Sequence, residues 1–166
     1  MVTIYFSKIN DKATIPRKRN EDAGYDIFAC LSDMYICVPP HHTVSIPTGI
    51  ASAFPSDYFF QLAERGSTGV LGIAQRSGVI DSGYRGEWFI PITNTNNRDL
   101  FIAKREVVES LKGIHGENAI IYDADKAICQ ALLLPVPKTQ IIEVSICELK
   151  LFGSERGEGK CGSTNS

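Results

Sequence analysis

The chain has 166 residues, 43% of them apolar and 22% charged, with a formal net charge of −2. This composition excludes a disordered chain, and the length suits one domain that buries its core without metal or disulfide support. A charge so close to neutral gives no electrostatic case for a nucleic-acid polymer as partner, since such surfaces are usually strongly basic. A small anionic ligand needs only a few local Arg and Lys residues.

Five cysteines, Cys30, Cys37, Cys129, Cys147 and Cys161, form no C-x-x-C pair and have no paired His spacing beside them. They read as free thiols of a reducing compartment, not as a disulfide frame or zinc site. The start, Met1-Val2-Thr3-Ile4-Tyr5-Phe6, reads as a short strand, and no apolar run reaches membrane-spanning length. A cytoplasmic protein without membrane contact is expected.

In chain order, Gly and Pro separate short β-branched and aromatic segments at residues 2–6, 34–38, 43–47, 58–62, 78–80, 88–93, 127–136 and 141–147. Many short strands between turns predict an all-β sandwich or barrel. Residues 68–74 are Gly-interrupted and suit one helical turn or a tight loop. Residues 103–112 carry Val107, Val108 and Leu111 at helical spacing before Gly113, which predicts a short helix inside a long connection running to about Asp123. Such a length points to a lid or an interface. Residues 154–166 are Gly-rich and polar, as in a flexible tail following a single domain of residues 1–153.

Gly78-Val79-Ile80-Asp81-Ser82-Gly83-Tyr84-Arg85-Gly86-Glu87-Trp88 is bounded by two apolar runs and reads as a β-hairpin whose tip carries Asp81 and Tyr84. Main-chain groups at such a tip suit a flat hydrogen-bonding ring such as a nucleobase. Asp22-Ala23-Gly24-Tyr25-Asp26 places two carboxylates about a Gly. Arg65-Gly66-Ser67 offers a cation followed by small residues whose N–H groups can approach an anion. Gln130 lies in an otherwise apolar run and needs hydrogen-bond partners if buried. Arg156-Gly157-Glu158-Gly159-Lys160-Cys161-Gly162-Ser163-Thr164 has the ingredients of a phosphate-wrapping arm, though it is not a Walker sequence.

In this order the pieces resemble the five motifs of the trimeric dUTP pyrophosphatase (dUTPase) family: Ala23-Gly24-Tyr25-Asp26, Arg65-Gly66-Ser67, Gly78-Val79-Ile80-Asp81-x-x-Tyr84-x-Gly86, Ala127-Ile128-Cys129-Gln130, and Arg156-Gly157-x-Gly159-x-x-Gly162-Ser163-Thr164. The resemblance spans nearly the whole chain. It implies a distorted jelly-roll with one or two short helices and a homotrimer whose sites are built by more than one subunit. It also implies hydrolysis of dUTP to dUMP and pyrophosphate with Mg2+. Asp81 would be the catalytic base. Gly78, Val79 and Ile80 would hold uracil, Tyr84 would stack on the deoxyribose, and Arg65, Gly66, Ser67, Gln75 and Gln130 would line the substrate. Arg156, Lys160, Cys161, Gly162, Ser163 and Thr164 would close over it, with Cys161 where relatives carry Phe. Asp26 would meet the magnesium through water.

Two other readings share the fold. A dCTP deaminase needs a Glu base after the hairpin and an Arg after the second motif, where this chain has Pro91 and Val70. A dUTP-gated regulatory binder is the other, with the 103–123 insertion and the arm as its switch.

Overall fold

The computed structural model describes residues 1–154 and 157–158. The strands are β1 (Tyr5–Lys8), β2 (Gly24–Ile27), β3 (Tyr35–Val38), β4 (Thr43–Pro47), β5 (Ile50–Ala53), β6 (Tyr58–Ala63), β7 (Ile73–Gln75), β8 (Val79–Asp81), β9 (Phe89–Asn94), β10 (Asp99–Ala103), β11 (Ala119–Asp123) and β12 (Cys129–Pro135). The helices are α1 (Gly66–Gly69), α2 (Arg105–His115) and α3 (Ile146–Lys150), with a 3-10 turn at Gly116–Asn118. Four sheets, β1-β5, β11-β10-β3, β2-β12-β6-β8 and β4-β9-β7, enclose one core in a jelly-roll arrangement. Among the described residues no helix is long and apolar enough to cross a membrane.

Strand alternation explains the core. On β6, Phe60 and Leu62 point inward and Phe59, Gln61 and Ala63 point outward, so one strand serves two surfaces. Phe60 stacks edge-on against Phe54, Trp88 and Tyr25 at centroid distances of 5.0, 5.3 and 5.9 Å. Such pairs add to the stabilisation that area burial alone gives.

Several expectations change. The hairpin over residues 78–93 does not form: β8 pairs with β6, while β9 pairs with β4 and β7. Trp88 is fully buried where the chain crosses between these sheets, and this burial carries the two apolar runs apart. The strand expected over 141–147 is replaced by α3. Ser145 Oγ accepts from the Glu148 amide at 3.2 Å, and the Glu148 carboxylate accepts from the Ser145 amide at 2.8 Å. This reciprocal cap outweighs the β-branched composition of an exposed segment. The long connection after the helix contains β11, which pairs in parallel with β10. Leu100 and Ile102 of β10 face the main core, and Phe101 and Ala103 face a second cluster with Val108 and Leu111 of α2. A crossover helix covers the strand's other face, so β10 reads as a continuous apolar run without alternation.

Phe60→Ala is expected to cost about 3–5 kcal/mol. Urea denaturation of the two proteins checks this, and a midpoint equal to that of wild type would contradict Phe60 as the centre of the core.

Candidate active site

Register aligns the first group of residues. A β-bridge pairs Arg17 with Asp26, and Asp26 pairs with Gln130, which pairs in turn with Ala63. Directly paired residues share a face of the sheet, so Arg17, Asp26 and Gln130 all point outward from the core. Gly24 leaves room beside them, since a Cβ at that position would stand 2.9 Å from Gln130 Oε1 and displace the amide. Gln130 Nε2 donates to the Glu64 carbonyl at 2.9 Å, which satisfies the amide and turns it toward Arg65.

Arg65 leaves the end of β6 and opens α1, its carbonyl accepting from the Thr68 hydroxyl at 2.9 Å. Its Nε lies 3.2 Å from Asp26 Oδ1, and its Nη1 donates to the Ala127 carbonyl at 3.1 Å and to Ser67 Oγ at 3.4 Å. Residues of three separated motifs, Gly24 and Asp26, Arg65 and Ser67, and Gln130, thereby line one open cleft of about 760 Å³. Arg17, Lys18 and Arg19 line it as well. Arg19 holds Asp22 through Nε and Nη2 at 3.0 and 3.1 Å, and these hydrogen bonds keep the Asp22 carboxyl below its ordinary range. Among the described residues Arg17 has no carboxylate partner and packs over the Phe28 ring at 5.5 Å. The cleft is therefore suited to an anion. The run Arg17-Lys18-Arg19 just ahead of the first motif was its unread signal.

The second group stands apart. Asp81 ends β8, the edge strand of the four-stranded sheet, and is exposed. The Gly78 carbonyl accepts from Leu62 N at 2.9 Å and so faces β6. By alternation the N–H and C=O of Val79 face the open edge. The Tyr84 amide closes a turn onto the Asp81 carbonyl at 3.1 Å, and its hydroxyl donates to the Glu87 carbonyl at 2.9 Å. That phenol lies over Gly86, where any Cβ would collide with it. Glu87 in turn accepts from the Gly49 amide at 2.7 Å, which fixes the loop to the barrel.

The sheet sets the distance between the two groups. From Asp26 to Asp81 are three strand steps and, since Phe59 pairs with Asp81 while Ala63 pairs with Gln130, four residues along β6. At ~4.8 Å per step and ~3.3 Å per residue the two carboxylates stand roughly 20 Å apart on the same outer face. Gln75 joins neither group: it is buried, its amide donating to the Ser77 carbonyl at 2.8 Å. Arg156, Lys160, Cys161, Gly162, Ser163 and Thr164 lie outside the described residues.

The chain is also similar to proteins of known family. The dUTPase family profile matches residues 10–108. The chain is 30% identical over 146 residues to the deoxyuridine 5'-triphosphate nucleotidohydrolase of Gloeobacter violaceus, covering 86% of this chain and 82% of that relative. It is 29% identical over 168 residues to the one of Clostridioides difficile, covering 99% of each. Among solved structures, the dUTPase of Staphylococcus bacteriophage 80alpha with dUPNHPP superposes with a TM-score of 0.72 at 22% identity, covering 97% of each chain. A variant dUTPase of the S. aureus phage phi11, described with a structural Mg(II) ion, gives 0.64 at 22% identity, covering 86% of this chain and 96% of that one. Both structural likenesses bear on the fold. The chain belongs to the dUTPase family.

The register that sends Gln130 outward sends Cys129 inward, where burial pushes its thiol up to about 12. Cys129 is therefore protonated at pH 8 and unreactive. A maleimide at pH 8 is expected to label exposed Cys147 in the native protein and Cys129 only after denaturation, as read by peptide mass spectrometry. Equal labelling of both would overturn the assigned register.

Proposed function

We propose that the protein hydrolyses dUTP to dUMP and pyrophosphate in sites shared between the subunits of a homotrimer. The observation that carries this reading is the convergence of Asp26, Arg65, Ser67 and Gln130, from three separated motifs, on one cleft. The family's relatives are named for that reaction. In this reading the triphosphate lies along Arg65, Gly66, Ser67 and Gln130, in the field of Arg17 and Lys18. Uracil lies against Gly78 and the β8 residues Val79 and Ile80, where β9 does not pair and the Val79 N–H and C=O stay free to read the ring's O4 and N3–H. Buried Gln75 braces the turn that presents Gly78. Tyr84, held by its bond to Glu87, stacks on the deoxyribose and leaves no room for a 2′-hydroxyl.

Asp81 orients a water for in-line attack on the α-phosphorus and takes its proton. Such base action is worth about 10²–10⁴-fold in rate, and pyrophosphate leaves as the P–O bond breaks. A magnesium ion fits the donor set: Asp26 is a single half-exposed carboxylate, and among the described residues no three His, Cys, Asp or Glu side chains converge. Mg2+ keeps most of its waters and is bound largely by substrate phosphates, so Asp26 would meet it through water. When bound it neutralises charge on the phosphates.

A base must lie within hydrogen-bond reach of the water it activates, yet Asp81 stands roughly 20 Å from Asp26 within one chain. Two copies supply what one cannot. The outer face between the two groups carries Phe59, Val79, Leu132 and Leu134, apolar residues suited to contact with another copy. Ile141, Ile142, Ile146, Leu149, Leu151 and Phe152 are exposed on the segment that leaves the barrel, a second such surface. Residues 1–153 then form the domain. Residues 154–166 act as the arm, with Arg156, Lys160, Gly162, Ser163 and Thr164 on the phosphates and Cys161 over the uracil. Closure excludes water and strengthens each polar contact. The thiols of Cys30, Cys37, Cys129 and Cys147 are free, which suits a reducing, cytoplasmic setting.

Asp81→Asn is expected to abolish release of pyrophosphate from dUTP while dUTP still binds, as followed by a coupled phosphate assay and calorimetry. Turnover at the wild-type rate would sink the mechanism. The shared site has its own test. Asp81→Asn and Arg65→Glu, each inactive alone, should regain activity when co-assembled, since about one site in four then receives both intact residues by random mixing in a closed ring. A mixture as silent as its components would refute sites shared between these two groups.

A further inference from the structure

Tyr122 is a buried phenol, 4% exposed, on strand β11, paired with Ile102 of β10. Its hydroxyl donates to the Ala127 carbonyl at 2.7 Å. That carbonyl is the one that accepts from Arg65 Nη1 at 3.1 Å. A carbonyl oxygen has two lone pairs, and here the phenol takes one and the guanidinium the other. Arg65 is thus held at two points, Nε by Asp26 and Nη1 by Ala127, and Nη2 remains for a ligand. The same side chains, Asp26, Arg65, Tyr122 and Ala127, line a smaller cleft of about 380 Å³ behind the ion pair. Burial pushes the Tyr122 phenol up against the opposing pull of Arg65, so it stays a proton donor at neutral pH.

The carbonyl is also fixed from its own side. Arg105, the first residue of α2, reaches Asp123 and Asp125 at 2.9 Å each. The Lys126 amide closes the turn onto the Asp123 carbonyl at 3.0 Å, one residue before Ala127. Helix, strand β11 and turn therefore converge on one acceptor, and that acceptor together with Asp26 sets the orientation of Arg65.

We propose that Tyr122 is a positioning residue for Arg65, acting through the shared Ala127 carbonyl, so that the β10–α2–β11 segment contributes to affinity for the triphosphate. This rests on the reading of Arg65 as a phosphate ligand. Arg65→Ala is measured first and is expected to raise KM for dUTP at least about tenfold, as loss of a charge-assisted contact does. Tyr122→Phe, which removes one neutral hydrogen bond and little volume, is expected to raise KM about three- to tenfold with kcat within about twofold. In the Arg65→Ala background Tyr122→Phe should add nothing to KM, the signature of a residue acting through another. Should Tyr122→Phe not fold, Arg105→Gln, which releases the turn from outside, is expected to shift KM in the same direction.

An unchanged KM in Arg65→Ala would remove the phosphate reading and this proposal together. A raised KM in Arg65→Ala with wild-type KM in Tyr122→Phe overturns this proposal alone. So does a full additional KM effect of Tyr122→Phe when Arg65 is already Ala, since a purely structural tyrosine would act independently of Arg65.

Discussion

The pairing of Asp26 with Arg65 joins the barrel to its cleft. As a half-exposed ion pair its contribution to stability is small, about 0–1 kcal/mol. Its consequence is geometric. Arg65 sits at the end of β6, where the backbone leaves the sheet, and a long side chain there has many rotamers available in solvent. The carboxylate on β2 and the carbonyl of Ala127 remove most of them. What remains is a guanidinium whose Nε and Nη1 are engaged and whose Nη2 is left for a ligand, beside an amide that Glu64 has already oriented. A preset fork loses less freedom on binding than a loose one, which is where affinity for an anion is gained.

The β2-β12-β6-β8 sheet is at once a scaffold and a spacer. Strand pairing holds Asp26 and Gln130 in one row and Asp81 in another, three strand steps from Asp26. No sliding of strands along each other removes that lateral separation, and a one-residue slip would invert which side chains face the core. The rigidity that orders each half-site keeps the halves apart. In the proposed trimer, the two half-sites on the same outer face would be completed by contact through the apolar middle, which would bring unlike ends of neighbouring copies together. A heterologous contact of this kind closes into a ring when the rotation permits.

Composition and turn spacing made the β architecture legible, and the strands Thr43–Pro47 and Tyr58–Ala63 follow their alternating patterns almost to the residue. β10 was missed because a strand buried on both faces has no alternation to read, and β11 because nothing local marks a parallel partner. The false hairpin has a different origin. Local signals at residues 78–93 fit pairing, but Trp88 could be buried only between sheets, and that tertiary demand overrode the turn chemistry. At the site, Asp26, Arg65 and Gln130 were legible through the order of motifs, whereas Arg17 needed the register of a single bridge. Tyr122 could not be read at all, since its role depends on a carbonyl five residues away that the fold, not the sequence pattern, presents to Arg65.

The β10–α2–β11 segment is not a passenger on the barrel. A loop added to a surface can be removed at little cost, because closing a somewhat longer connection changes the entropy only slightly. Here Leu100 and Ile102 are fully buried in the main core, while Phe101, Ala103, Val108, Leu111 and Ala119 form a cluster that exists only when α2 covers β10. Removing the helix would expose that cluster and strip the turn at 123–126 of Arg105. Removing β10 would open the main core beneath β3. A segment that supplies part of the core and also anchors the acceptor of Arg65 couples folding of the barrel to the shape of the cleft, so changes in it reach both.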